Sequence, residues 1–425
     1  MTSFDTCFAN PWNELAGARR LHVRWLLRPD DAPLRNVEVV VESGFLTEVR
    51  HMPESVSHRA DPVVLMPALV NAHTHLEFSD LDTPVSPALP FQDWITSVIQ
   101  NRRNRSAVST PLQGLADASI MAGLSESRKF GTLATGEITT QDLSVDLWSR
   151  FQQTSTISFR ECIGLQPESI QRQIENAQLH LKNGVEGITG LSPHAPYTVH
   201  PELFDELIRM ASRHCVPVAM HLGETIAERQ LLLDATGAFR SFLSERQLWN
   251  ASAFPASRTL LNYLKPMATL RRALAIHCNY LSEPEMEFLA ENPNVAVVFC
   301  PRTHQFFQHG SHPWRRLRDA GARVVLGTDS RASNPDLSIW RELLSIVRQH
   351  EGARQVSLDG IARHLPMITT DSADALGLNS QHFALQCGQP FHAVAVPMVP
   401  ETGAIADMPA AVFHCGERIE DRSDN

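Results

Sequence analysis

The stretch Val63-Val64-Leu65-Met66-Pro67-Ala68-Leu69-Val70 runs straight into Asn71-Ala72-His73-Thr74-His75-Leu76-Glu77. Its apolar part has the length and composition of a buried strand. Strand side chains alternate between faces, so His73 and His75 point one way and Thr74 the other. Two imidazoles on one face of a strand end can share a metal ion. A lone His-x-His says little, and its meaning depends on the rest of the chain.

Beyond His75 the pattern alternates between strands and helices. Further strands are expected at 131–138, 155–165, 188–192, 216–221, 273–277, 295–300 and 324–329. Helices are expected between them, among them 168–183, closed by Gly184, and 201–214, opened by Pro201. Eight strand–helix units over roughly 300 residues predict an α/β fold, a (β/α)8 barrel of TIM type. The segment 237–265 reads as irregular and long for a connecting loop, and is expected to wall or cover a binding site. Before the barrel, 36–42 and 45–50 read as a hairpin about Ser43-Gly44; after it, 393–396 and 411–413 return to β character. The expected organisation is a small β-sandwich formed by both termini, 1–65 with 381–425, and a barrel over 66–380.

The net charge of −10, from 37 basic and 47 acidic residues, argues against nucleic acid or an anionic membrane as main partner. The charge says little about a small-molecule substrate. The seven cysteines are scattered, odd in number and without a Cys-x-x-Cys, so they imply neither a disulfide framework nor a cysteine zinc site. Met1 to Glu14 holds no basic segment followed by an apolar one, and no stretch has the length of a membrane span. The expected location is cytoplasmic. A homo-oligomer is compatible with the sequence and is not specified by it.

The C-terminal ends of the expected strands carry His73 and His75, His194, His221, His277 and Asp329. A (β/α)8 barrel places its active site at that face. Three imidazoles and one carboxylate suit a borderline divalent cation such as Zn2+ or Fe2+. Glu224 follows His221 by three residues, at the strand-to-helix turn. A metal lowers the pKa of a bound water, and a carboxylate beside it can take that proton and pass it to a leaving group. The alternative for Glu224 is a first-turn carboxylate answering the helix dipole.

Taken together, the runs Asn71–Glu77, Pro193–Tyr197, Met220–Glu224, Ile276–Cys278, Cys300–Arg302 and Leu326–Asn334 resemble the amidohydrolase superfamily, in its branch of mononuclear-metal deaminases and chlorohydrolases. The resemblance implies metal ligation by His73, His75, His221 and Asp329, and catalytic roles for Glu224, His277 and Asp329. It implies substrate contacts by His194, Glu77 and Arg302, although His194 can equally brace its loop, Glu77 pair with a basic residue, and Arg302 form a barrel salt bridge. No lysine stands at a bridging position on the fourth strand, which disfavours the binuclear branch. The implied activity is hydrolytic deamination of an aromatic amino heterocycle, such as the adenosine derivative aminofutalosine. A triazine chlorohydrolase or aminohydrolase of the same branch is the alternative; a non-catalytic scaffold predicts lost ligands. The chain departs from the family pattern at Gly223, at Arg331, which stands close enough to Asp329 to alter the pocket, and at Phe391-His392 in the tail. His304, His309 and His312 resemble a metal cluster in composition but read as pocket or surface residues. Phe78, Trp94, Phe306 and Phe307 either stack on a substrate ring or pack in the core.

Overall fold

The computed structural model describes residues 13–15, 18–107, 112–352, 356–399 and 402–419. Cys7 and most of the Met1–Glu14 stretch lie outside the described residues.

The strands Leu69–Thr74, Thr132–Thr139, Thr156–Cys162, Thr189–Pro193, Val218–Leu222, Ala273–His277, Val295–Phe299 and Val324–Leu326 pair in parallel, in chain order, to make an eight-stranded sheet. Every residue in them is buried, which is why runs such as Val295-Ala296-Val297-Val298-Phe299 are apolar throughout instead of alternating. Helices cover the outside. Pro201–His214 is typical: Pro at its start, the His200 side chain accepting from the Glu202 N–H, and Leu203, Phe204, Leu207 and Ile208 turned inward.

The barrel closes between its first and last strands. Thr74 and Asp329 form a parallel bridge, and the N–H groups of Thr328 and Asp329 both donate to the His73 carbonyl at 3.1 Å. Asn71 adds a side-chain lock, donating to Thr328 Oγ1 at 2.7 Å and accepting from the Thr328 N–H at 3.1 Å. A Cβ on Gly327 would come within 2.9 Å of His73 Cβ, so the closure depends on a residue without one.

The Val63–Val70 run is not one strand. It divides at Ala68: Asp61–Pro67 belongs to a second sheet and only Leu69–Thr74 enters the barrel. The two strands meet end to end, so an apolar run spans both. The second sheet follows the spatial order Glu417–Arg418, Ala411–His414, Ala393–Pro397, Asp61–Pro67, Ala18–Leu26, Leu34–Glu42, Phe45–His51, with Asn13–Leu15 paired to Ala18–Leu26. All its pairings are antiparallel except that of Ala18–Leu26 with Asp61–Pro67. Its far edge bonds back to the segment before Ala393, through Leu46 N–H to the Gln389 carbonyl and Phe391 N–H to the Gly44 carbonyl. The sheet therefore folds over its own core of Leu21, Val39, Val63, Leu65, Phe391 and Phe413. Alternate residues, Val64, Met66, Val394 and Val396, join the barrel core instead. Among the described residues no helix is long and apolar enough to cross a membrane.

Candidate active site

At the C-terminal face of the barrel lies a cavity of about 430 Å3. His75, His221, Glu224, His277 and Asp329 form its floor, and Phe78, Phe91, Trp94, Tyr197 and Phe242 supply an aromatic wall. Four strand ends supply this floor: His277 is the last residue of its strand and His221 the last but one, while His75, Glu224 and Asp329 stand one to three residues beyond theirs.

His73, His75 and His221 each offer a ring nitrogen, and these lie within 4.8 Å of one another. The His75 and His221 Nε2 atoms are 3.4 Å apart. Asp329 Oδ1 stands 3.6 Å from His73 Nε2 and 3.8 Å from His75 Nε2. These carboxylate separations are too long for good hydrogen bonds. Two donors each about 2 Å from one tetrahedral cation stand roughly 3.3 Å apart, so the spacing suits groups facing a common centre. Two further observations fit. Both ring nitrogens of His73 lack a hydrogen-bond partner although the residue is 1% exposed, a costly state unless a cation takes a lone pair. His221 donates from Nδ1 to the His194 carbonyl at 3.1 Å, which leaves Nε2 free to ligate.

Burial holds these imidazoles in the neutral, ligating form. It pushes His73 and His75 well below the ordinary histidine range, helped by the neighbouring rings, and His221 down to about 4. Asp329 is fixed by Ser330 N–H at 2.8 Å and Ser333 Oγ at 3.1 Å, and its φ of 58° is left-handed. His277 shares that conformation, with φ 70°. Two non-glycine residues in this region at one site are a local strain that the surrounding bonds hold in place.

Glu224 sits 5% exposed, its Oε1 3.5 Å from His277 Nε2. Burial first, then the charges of Asp329 and Glu228, pushes its carboxyl well above the usual carboxylate range. Its backbone is clamped from both sides. Glu228 accepts from the Gly223 N–H at 2.8 Å and the Glu224 N–H at 3.1 Å, and Asn279 Nδ2 donates to the Glu224 carbonyl at 3.1 Å.

The expected substrate contacts divide. His194 lines the cavity, with Nδ1 bonded to Thr198 Oγ1 at 2.7 Å and Nε2 turned toward Glu161 at 3.9 Å. Arg302 is not among the residues that line the cavity: its guanidinium donates to Glu342 and Asp336, both at 2.7 Å, the salt-bridge alternative of its two readings. Glu77 is likewise turned to a basic partner, Arg102, and takes a hydrogen bond from Thr140 at 3.0 Å; Arg102, not Glu77, lines the cavity. Arg331 turns away to Glu126 and so leaves the cavity unaltered. Phe78 and Trp94 are in the wall, whereas Phe307 packs behind it against Phe91 and Trp94. The segment 237–265 does wall the site through Phe242, Arg246 and Leu248, but it is ordered, with helices Ala238–Glu245 and Leu261–Ala268. His304, His309 and His312 brace rather than cluster: His304 bonds Asn279, His309 bonds Tyr280, and His312 donates to the His277 carbonyl at 2.7 Å.

Sequence reasoning missed Glu161, which lines the cavity from the end of the third strand, and Glu228. The strand-end rule flags the first. The second is visible only as a carboxylate one helical turn beyond Glu224.

Residues 64–408 match the amidohydrolase family. The chain belongs to that family. It is 27% identical over 367 residues to the 5-methylthioadenosine/S-adenosylhomocysteine deaminase of Desulforamulus reducens, covering 83% of this chain and 78% of that one. It is 28% identical over 326 residues to the aminodeoxyfutalosine deaminase of Deinococcus radiodurans, covering 73% and 74%. Among solved structures, Helicobacter pylori aminofutalosine deaminase in complex with methylthio-coformycin superposes with a TM-score of 0.74 at 19% identity, over 94% of this chain and all of that one, a likeness of fold.

Proposed function

We propose that this amidohydrolase is a metal-dependent hydrolytic deaminase of an amino-bearing aromatic heterocycle, within the adenosine derivatives named for its relatives. The observation that carries the reading is Glu224: a buried carboxyl aimed into the cavity beside His277 and a three-imidazole cluster. His73, His75, His221 and Asp329 would hold one divalent cation, Zn2+ before Fe2+, which when bound supplies positive charge that lowers the pKa of a water toward neutrality.

The rest is work for the chain. Glu224 accepts a proton from the attacking water and delivers it to the departing nitrogen. A C–O bond forms at the amino-bearing carbon, the C–N bond breaks, ammonia leaves, and the proton of the new hydroxyl passes to the adjacent ring nitrogen to give the ring carbonyl. A carboxyl held above its ordinary range suits a group that must both take and give a proton near neutrality. His277 Nε2 orients that carboxyl and His194 Nε2 meets the substrate from the opposite wall. The aromatic wall holds a flat ring against the donors and excludes bulk water. The same reading takes 1–65 with 381–425 as the β unit and 66–380 as the barrel. It places the enzyme in the cytoplasm with a small molecule as its partner and without nucleic acid or membrane; a homo-oligomer is tested by sedimentation.

The test is ammonia release from adenosine derivatives, guanine, cytosine and triazines by protein of known metal content, beside Glu224→Gln. Release from one class, reduced by about 10²–10⁴ in the variant with metal retained, is the expected result. Chloride or alkylamine release from triazines, with no ammonia from any nucleoside, replaces the proposal with the triazine alternative. Full activity of Glu224→Gln removes Glu224 from its role.

A further inference from the structure

A second set of metal-compatible side chains lies on the terminal sheet, remote from the barrel cavity. Ala393 pairs with Phe413 and Val394 with Val412, so the same register sets His392 opposite His414. Their rings stack at 4.7 Å with 14° between planes. Successive strand residues point to opposite faces, which would send Cys415 away from His414. Cys415 instead has a left-handed φ of 47°, in the turn before Glu417–Arg418, and its thiol comes back to the histidines. One ligand atom from each of His392, His414 and Cys415 lies within 4.8 Å of the other two. His382 stands beside them, its ring 6.3 Å from that of His392.

We propose that His392, His414 and Cys415 form a second metal site for a thiophilic cation, zinc(II). The donor chemistry makes the choice. Two imidazoles and one thiolate suit zinc and do not suit magnesium or calcium. The barrel centre has no sulfur donor, so the two sites differ in kind.

The electrostatic surroundings are mixed. Burial, aided by the neighbouring rings, holds His392 down at about 4, so it is neutral and able to ligate at physiological pH. Arg128 faces His414 and disfavours an added cation there. A thiolate donor at Cys415 offsets that charge when the cation binds. His392 Nδ1 now accepts the Cys415 N–H at 3.2 Å; a cation on that nitrogen displaces this long bond. His414 and Cys415 are exposed, so the cation has direct access. Bound there, it ties the C-terminal hairpin to the segment that leads into Ala393–Pro397.

The experiment equilibrates the full-length protein with zinc alone, removes the excess, and counts metal per chain. Two zinc ions are expected, falling to one in Cys415→Ser and in His414→Ala with ammonia release unchanged. His75→Ala should also retain one, so failure of the barrel centre and failure of this site are told apart. Cobalt(II) gives an independent readout. Only a sulfur-ligated ion yields an intense thiolate charge-transfer band in the near ultraviolet, and it should be present in wild type and in His75→Ala and absent in Cys415→Ser. One zinc per chain in wild type, or a second zinc and a charge-transfer band that survive Cys415→Ser, overturns the proposal.

Discussion

Glu228 makes no contact with the cavity, yet both its oxygens hold the turn that presents Glu224. Burial, before any other influence, pushes this carboxyl up to about 7. A glutamine of the same shape offers one acceptor and turns its amide NH2 against the second backbone N–H. A buried donor left without a partner costs about 1–3 kcal/mol. Much of that strain falls on the geometry of Glu224, because the unpaired N–H belongs to Gly223 or Glu224. Glu228→Gln should therefore lower kcat by about tenfold to a hundredfold, on the conversion of about 1.4 kcal/mol per decade. KM and metal content should stay near wild type. Metal loss in proportion to activity would mean that Glu228 supports His221 instead. This residue marks the limit of sequence reading at the site. His73, His75, His221, His277 and Asp329 were legible because a strand end fixes both the place and the direction of a side chain. For Arg302 and Glu77 the sequence leaves substrate contact and ion pairing both open, and each is turned from the cavity by partners from other segments, Asp336 with Glu342 and Arg102. No spacing rule encodes such a choice of partner.

At the scale of elements, the barrel was legible because each strand is a short buried run and most are followed by a helix with a side-chain cap, as at Ser144, His200, Thr225 and Ser338. Its beginning was not, because Asp61–Pro67 and Leu69–Thr74 are both apolar and join at Ala68 without a turn signal. The closure of the barrel rests on Gly327. A methyl group there meets His73 Cβ at 2.9 Å and the His73 carbonyl at 3.0 Å, both fixed by the first strand. Overpacking of this kind costs about 1–3 kcal/mol. Gly327→Ala should lower stability by that amount and weaken metal retention, measured by denaturant unfolding and by metal content after dialysis. Unchanged metal content would show that the first strand can shift without moving His73.

The helix Pro167–Asn183 yields a pH prediction. It buries His180, 3% exposed, against Trp148 and the Ser158 carbonyl. Burial, partly opposed by that hydrogen bond, holds His180 down at about 4. The unfolded chain takes up this proton near pH 6.5 and the folded chain only near 4. Stability is therefore complete above pH 6.5 and falls as pH drops through that window, by roughly 3 kcal/mol in all. His180→Gln, which keeps a donor for Ser158, should flatten the urea midpoint between those limits relative to wild type. Parallel curves would assign the acid sensitivity to other groups.

At the scale of the whole molecule, the terminal sheet gives one face to the barrel core and keeps the other for its own. Val64 and Met66 point from the terminal sheet into the barrel core, with Val394 and Val396 beside them, while Val63 and Leu65 of the same strand line the sheet's own core. Trp340, on the helix Ile339–Glu351, donates to the Ala406 carbonyl at 3.0 Å and adds a polar tie. Separating the two parts would expose the barrel-side face of the terminal sheet and the barrel core that it covers. The proposed ligands tie the barrel itself together, because they stand at the ends of its first and fifth strands and just beyond the eighth, 256 residues apart at the extremes (329 minus 73). A cation on them binds the folded chain and not the unfolded one, which stabilises by about 2.7 kcal/mol at a hundred times the dissociation constant. Calorimetry should thus show a single transition for the metal-loaded protein. Chelation should move that transition to lower temperature as a whole, and added zinc should restore it. Under the same scan, Cys415→Ser should keep most of the shift, since the barrel cation joins strands from distant parts of the chain whereas the second site closes a short span. A transition that splits on chelation would show that the sheet and the barrel hold their structures independently.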